Sequence, residues 1–374
     1  MVLRSASQRK LSQAFLFALF LILTVMAVDP ARSDWKKEWE RTLAAAEKEG
    51  QVTIYGQARK EVADAIQEFR KAYPRIKLNF VEGQGSDLGH RVMAEKRAGK
   101  HLVDVAVGGG ATMIQVYHKA DLLEPISTAF ILPEVTDQSF WWGKKHHYSD
   151  PANRYVFMMQ GDVSSGIGAY NIHFVQPGEI QSWWDLLNPK WKGKMVMTDP
   201  KSAGNIQSWV YLYHSPELGP KYLRRLIGEM DLTFSANEQQ MVDWLAQGKF
   251  YIHLLSKDDN IDKARRQGLP VMSFDSQKEA GRVSSGSGHL SFFKNAPYPN
   301  AARVYINWIL SREGQMAWQK YGLTNSFRVD IPKDMLQAGQ VLKEGRQYFM
   351  SSRYVVDLKP LRQLINEILA ETKR

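Results

Sequence analysis

The alternation of apolar and polar positions is clearest between Val52 and Asp87. Val52–Tyr55 is a short β-branched and aromatic run that breaks at Gly56. From Arg59 to Tyr73 the apolar residues Val62, Ile66, Phe69 and Tyr73 recur at helical spacing, with charged residues on the opposite face. Pro74 stops that helix, since it has no N–H to continue the ladder. Ile76, Leu78 and Phe80 then alternate with Lys77 and Asn79, which predicts a second strand ending in Gly83-Gln84-Gly85-Ser86-Asp87. A strand–helix–strand unit makes a parallel sheet with a right-handed crossover. Ligands of such sheets gather at the carboxyl ends of the strands, where the loops Gly56–Arg59 and Gly83–Asp87 fall.

The pattern continues on both sides of this unit. Trp35, Trp39, Leu43 and Ala46 share a helical register over Asp34–Glu49. Leu102–Val107 is an apolar run interrupted by Asp104 and followed by Gly108-Gly109-Gly110-Ala111-Thr112, so a third strand also ends in a glycine-bearing loop. Further on, Met195–Met197 and Phe250–Leu255 read as strands. Helices are expected around Ile206–Tyr213, Tyr222–Met230, Asn237–Ala246, within Ser256–Gly268, after Pro299, over Glu313–Tyr321, and at the tail through Leu361, Leu364, Ile365 and Ile368. Two long extended stretches, at about 155–171 and 282–293, are the natural crossings between two lobes.

The first residues read differently. Arg4, Arg9 and Lys10 precede an apolar core over Ala14–Val28, and Ala31-Arg32-Ser33 offers a small-x-small cleavage site. That is the pattern of a secretory signal peptide over 1–33. What remains is long enough for two domains at about 150 residues each. The chain has no Cys, which excludes disulfides, thiol catalysis, zinc–thiolate sites and a lipidated cysteine. A freely diffusing periplasmic protein is the simplest reading. The net charge of +10 favours anionic small ligands or a basic solvated surface. The basic residues are dispersed and form no nucleic-acid-binding motif.

Catalytic signatures are absent: there is no G-x-S-x-G, no phosphate-binding P-loop and no H-E-x-x-H. Gly83-x-Gly85 lacks the third glycine of a dinucleotide site, because Leu88 stands there. The glycine loops are either tight turns or a set of backbone N–H groups facing one cleft and suited to anions. Asp199–Gly204 fits the second description too. His146-His147 has no acidic partner at helical spacing and is expected in a solvated loop. Trp141-Trp142 and Trp183-Trp184 are expected to pack in the core or between lobes, and Asp258-Asp259 to form an exposed acidic turn.

Four blocks, in order, resemble the periplasmic solute-binding proteins of ABC importers, in the group that includes the ferric-iron-binding proteins. They are Val52–Gly85; Asp104–Ala111 with Ala120-Asp121-Leu122-Leu123-Glu124-Pro125; Trp184-Asp185-Leu186-Leu187-Asn188-Pro189-Lys190-Trp191-Lys192-Gly193-Lys194 with Asp199-Pro200 and Ser202-Ala203-Gly204; and Asn300–Ala302 through Ile309-Leu310-Ser311-Arg312-Glu313-Gly314-Gln315. The resemblance implies an α/β, type II periplasmic-binding-protein fold. Its two lobes are each a mostly parallel sheet with flanking helices, joined by two hinge crossings. Lobe one would be 34–167 plus 289–374, and lobe two 168–288. The implied partners are a small-molecule solute and a membrane permease, for a monomeric receptor that is not an enzyme and needs no cofactor. Iron-binding members resemble one another in a pair of adjacent tyrosines after the strand that is Phe250–Leu255 here; this chain has Ser256-Lys257-Asp258-Asp259-Asn260 instead. Ferric iron needs hard anionic oxygen ligands, so no metal residue is assigned and an oxyanion-bearing organic solute is favoured. A ferric receptor without the tyrosine pair and an exported hydrolase are the alternatives. Expected ligand contacts are Gln57, Ala58, Ser86, Gly110 and Ala111 from the first lobe, and Tyr170, Ser202, Ala203, Gly204 and Asn237 from the second. Backbone N–H groups of Ala58, Ala111 and Ala203 would bind directly; Tyr170 would stack on the ligand or pack at the hinge.

Overall fold

The computed structural model describes residues 30–164, 166–201, 206–256, 258–274, 277–337, 339–354 and 357–372. The expected leader lies outside them except for 30–33, which open a helix spanning Pro30–Glu49. The strands are β1 (Gln51–Gln57), β2 (Lys77–Gly83), β3 (Val105–Gly108), β4 (Leu123–Glu124), β5 (Phe157–Met158), β6 (Asp162–Ser164) and β7 (Gly168–Asn171). They continue with β8 (Met195–Thr198), β9 (Thr233–Ser235), β10 (Ile252–Leu254), β11 (Val271–Ser273), β12 (Gly281–Ser284), β13 (His289–Phe293) and β14 (Tyr348–Met350).

The opening unit forms as its periodicity predicts. Helix Lys60–Ala72 buries Val62, Ala65, Ile66 and Phe69 on one face. β1 and β2 pair in parallel from Gln51↔Lys77 to Gln57↔Gly83, which brings the two loops side by side. β3 joins β1 in parallel on its other edge. Asp104, the polar break in the apolar run, accepts hydrogen bonds from the backbone N–H groups of Thr53 (2.7 Å) and Tyr298 (2.8 Å), so its carboxylate ties two segments rather than interrupting the strand. The sheet order is β2-β1-β3-β13-β4, with β5 also on β13. Helix Pro299–Leu310 covers it together with Pro30–Glu49, and helix Arg312–Gly322 packs on Lys60–Ala72.

A second sheet, β11-β7-β10-β8-β9, carries the second core. The parallel order expected for both lobes is confined to β2-β1-β3 and to β10-β8-β9. β13 and β7 run against these strands. Each of them enters its sheet from the other lobe, with no crossover helix to reverse its direction.

Between the two sheets the extended stretches 155–171 and 282–293 meet. β6 and β12 pair antiparallel, Val163 opposite Val283. A third strand, β14, lies parallel to β12 on its other edge. After it, Ser351 Oγ donates to Val283 O and Ser352 Oγ accepts from Ser285 N–H, and the chain passes to the second core. There helix Lys359–Thr372 packs on helix Gly219–Glu229 through Leu361, Leu364, Ile365 and Ile368. The stretch 289–374 therefore does not lie wholly in the first lobe. An amphipathic helix specifies that it must bury a stripe, but not which of two apolar surfaces receives it.

Candidate functional site

The carboxyl ends of β1, β2 and β3 and the start of β13 face the same side of the first sheet. On the second sheet the carboxyl ends of β8, β9 and β10 and the start of β7 do the same. The three-stranded hinge sheet joins these two rims.

At the first rim, Gln57 Oε1 accepts a hydrogen bond from Ser287 Oγ at 2.5 Å. Arg59 Nη1 reaches the same hydroxyl at 3.4 Å. A side chain from the first loop and one from the second crossing thus share one polar knot. His289, two residues beyond Ser287, is almost fully buried, with Nδ1 3.2 Å from Gly286 O. Burial pushes its imidazole down to about 4, so it is neutral at ordinary pH. A Cβ at Gly110 would stand 2.8 Å from this ring, so the close approach requires glycine there.

Two cavities adjoin at this knot. One, of about 80 Å³, is lined by Gln57, Gly85, Gly108, Gly109 and Thr112. It has room for a small ion or methyl-sized group. The other, of about 650 Å³, is lined by Arg59, Ser287, Gln160, Asp162, Trp318 and Gln340 on the first lobe and its crossings, and by Arg266 from the second lobe. That volume suits an organic solute. Gln160 is held by the Trp318 indole N–H at 2.6 Å and donates to Asp162 Oδ2 at 2.9 Å. Asp162 Oδ1 accepts from Asn325 N–H at 2.6 Å. The first crossing is therefore locked to the first lobe at the edge of the larger cavity.

The expected contacts divide. Gln57 stands on the rim and lines the smaller cavity. Ala58 is exposed, but its N–H donates to Gly83 O at 3.1 Å, so that donor is spent on joining the first two loops and is not available to a ligand. Ser86 is exposed in the first turn of helix Gly85–Arg97, with its hydroxyl 3.3 Å from Asp87. Gly110 is buried against the His289 ring and Ala111 is half-buried; Gly109 and Thr112 line the smaller cavity in their place. Tyr170 packs in the second core, its ring 4.8 Å from Phe274 and its hydroxyl 3.6 Å from Met272 Sδ, so hinge-side packing prevails over stacking on a ligand. Asn237 caps helix Glu238–Ala246, its Oδ1 accepting from Gln240 N–H at 3.1 Å. Ser202, Ala203 and Gly204 lie outside the described residues.

His146-His147 is not a solvated pair. His147 stacks on Phe327 at 4.3 Å and bonds Trp142 O at 2.8 Å, and His146 bonds Val135 O at 2.9 Å. Arg59, Ser287, Gln160, Asp162 and Arg266 were not singled out from the sequence. Arg59 had a signal, since it ends the first loop; the Ser/Gly content of 282–293 pointed at Ser287 only in a general way. Among the described residues no cluster of three or more His, Asp or Glu could hold a metal ion.

Residues 51–324 match the family of bacterial extracellular solute-binding proteins. The chain belongs to that family. Among curated relatives, iron uptake protein A1 of Synechocystis is 19% identical over 82% of this chain and 84% of its own length. Among solved structures, the Trichodesmium protein IdiA (FutA) in complex with iron and citrate is 19% identical, covers 85% of this chain and 99% of its own, and has a TM-score of 0.64. The periplasmic binding protein AfuA of Actinobacillus pleuropneumoniae, with fructose-6-phosphate bound, is 20% identical over 87% of this chain and 99% of its own, with a TM-score of 0.56. At these identities the structural likeness establishes the two-lobed type II fold.

Proposed function

We propose that this protein is the periplasmic receptor of an ABC importer and captures a small anionic organic solute between its two rims. The lobes are 34–167 with 289–350, and 168–288 with 351–372. The observation that carries this reading is the cavity of about 650 Å³ between the lobes, with Arg59 and Ser287 converging on its wall. The Ser287 hydroxyl gives its proton to Gln57 Oε1 and accepts from Arg59, so it holds in place a guanidinium that is the donor for a carboxylate or phosphate oxygen. The adjoining polar side chains would orient the rest of the solute. Gln57 and Ser287 set the geometry of the first rim; Asn237 supports the second by fixing its helix. The receptor delivers its solute to a membrane permease and performs no turnover.

A thermal-shift screen over sugar phosphates, phosphonates, dicarboxylates, polyamines, thiamine and ferric citrate tests this. An anionic organic compound present at 100 times its Kd should stabilise the chain by about 2.7 kcal/mol, and the compound should be recovered unchanged. Stabilisation by a polyamine or thiamine alone would overturn the anion reading. A charge-transfer colour with ferric citrate would move the assignment to iron. Chemical conversion of a bound compound would make the protein an enzyme.

A further inference from the structure

The end of the second lobe that points away from the cleft has an exposed apolar surface. Its loops follow the end of β7 and precede β8, β10 and β11, at the strand ends opposite those of the rim. Backbone hydrogen bonds hold these loops together: Ile172 N–H donates to Pro270 O at 3.0 Å, Asn171 N–H to Tyr251 O at 2.9 Å and Tyr251 N–H to Lys194 O at 2.8 Å. Three large apolar side chains stand out from them, Ile172 at 40% exposure, Phe174 at 44% and Leu269 at 37%. Phe174 is exposed but held. Its ring stacks on Tyr251 at 4.2 Å with 3° between the planes, and it lies over Gly248, where a Cβ would stand 2.6 Å from the ring. Two cations flank the stack. Lys194 Nζ is 5.0 Å from the centre of the Tyr251 ring, and Lys249 Nζ is 4.0 Å from that of Trp244. Neither lysine forms an ion pair among the described residues. The nearby acids are Asp231, beside Gly193, and Asp243, which accepts a hydrogen bond from Gln239 at 2.9 Å.

We propose that this surface docks on an anionic lipid bilayer, with Ile172, Phe174 and Leu269 entering the headgroup boundary and Lys194 and Lys249 contacting lipid phosphates. Apolar side chains gathered in one patch mark a contact surface, whereas the same residues scattered singly would not. The occupant follows from the charges around the patch. Each lysine lays its aliphatic stem along an aromatic ring, so its ammonium group sits at the edge of the apolar patch. Apolar groups bordered by cations match a bilayer boundary, where acyl chains begin just beneath a layer of phosphates. The net charge of +10 draws the whole chain towards such a surface. The hinge sheet meets this lobe at the other end of β7, so the contact leaves closure of the cleft free. Docking there does not depend on which solute is bound. It would confine the receptor to the neighbourhood of the membrane and turn a search through volume into a search over a surface.

Cosedimentation of the purified full chain with vesicles tests this, using phosphatidylcholine alone and phosphatidylcholine mixed with phosphatidylglycerol. The protein should partition onto the anionic vesicles, bind the neutral ones far more weakly, and come off as salt is raised. Lys194→Gln and Lys249→Gln should each weaken partitioning about fivefold. Phe174→Ser should weaken it about tenfold. Ile172→Ser and Leu269→Ser, whose side chains stand at the surface, keep the test open if Phe174→Ser disturbs the ring beneath it; unfolding temperatures identify that case. Val329→Ser, which removes an exposed apolar side chain of the first lobe, should change nothing. Failure to bind anionic vesicles overturns the proposal, as does binding that none of the five second-lobe substitutions reduces. Binding to native membrane vesicles but not to pure lipid of the same headgroups would make the partner a membrane protein and overturn the lipid assignment. None of these outcomes bears on solute capture, which the thermal-shift screen reads separately.

Discussion

The two lobes are built on one plan and finish it differently. Each has three parallel strands whose loops reach the cleft, and each accepts an antiparallel strand from the other lobe. In the first lobe the rim is assembled across the chain: Gln57 and Arg59 meet Ser287, some 230 positions away, in a hydrogen-bonded knot between two cavities. In the second lobe the corresponding polar groups turn inward. Asn237 caps its own helix, Tyr170 joins the core, and His253 on β10 is fully buried. Among the described residues, the first rim brings Arg59, Gln57 and Ser287 to the cavities, whereas the second brings one arginine, Arg266. A receptor of this form can recognise its ligand mainly on one jaw and use the other to register that the site is filled.

The sharpest way to break this comparison is at the glycines where each sheet meets the cleft. Gly168 opens β7 at φ +127°, and a Cβ there would lie 2.1 Å from His253 O and 2.8 Å from Leu255 N. Those are backbone atoms of the paired strand and cannot swing aside. Gly168→Ala should cost ~3 kcal/mol or more and lower the unfolding temperature. Gly56 in β1 is also crowded, with Phe80 ring atoms 2.4 and 2.8 Å from a Cβ, but the ring can turn and the nearest backbone atom, Val107 O, is 3.3 Å away. Gly56→Ala should cost only about 1 kcal/mol. Equal losses in a denaturation series would show that the two sheets share one tolerance, contrary to the contrast drawn here.

Acid should act on both lobes. Burial pushes His289 of the first lobe and His253 of the second from 6.5 to about 4. A base whose folded pKa is depressed stabilises the fold above its unfolded pKa, and that contribution is lost as pH falls from about 6.5 towards 4. Stability should therefore fall with acidification in this window. His253→Gln and His289→Gln should each remove about one proton from the uptake, reducing the slope by about 1.4 kcal/mol per pH unit. Urea denaturation at several pH values reads this directly. An unchanged slope in either variant would mean that the histidine is not buried neutral.

The smallest effect separates support from recognition. Asn237→Ala removes a helix cap and should cost about 1 kcal/mol of stability while leaving solute affinity unaltered. Ser287→Ala should do the reverse, weakening affinity with little change in unfolding. A loss of affinity in Asn237→Ala, measured by calorimetry with a compound from the screen, would return that side chain to the ligand.

Much of the framework was legible because it depends on neighbours in sequence. Val62, Ile66 and Phe69 specify a helix and its buried face; Leu78 and Phe80 specify a strand. Two long extended stretches announced the crossings, and they meet as the paired strands β6 and β12. The site was legible only as a set of loops. Nothing local distinguishes Ala58 with a spent N–H from Ala58 with a free one, because the acceptor, Gly83 O, belongs to the next strand. Nor could helical spacing reveal that Leu361, Leu364, Ile365 and Ile368 would settle on the second core.

The sequence by itself determined the class of protein: short-range periodicity sets the elements, strand–helix–strand order sets parallel pairing, and both act between neighbouring residues. Tertiary structure alone decided which side chains share the cleft. Placing Arg59 against Ser287 and opposite Arg266 depends on the register of three separate segments, and their packing is what brings charges hundreds of positions apart into one space.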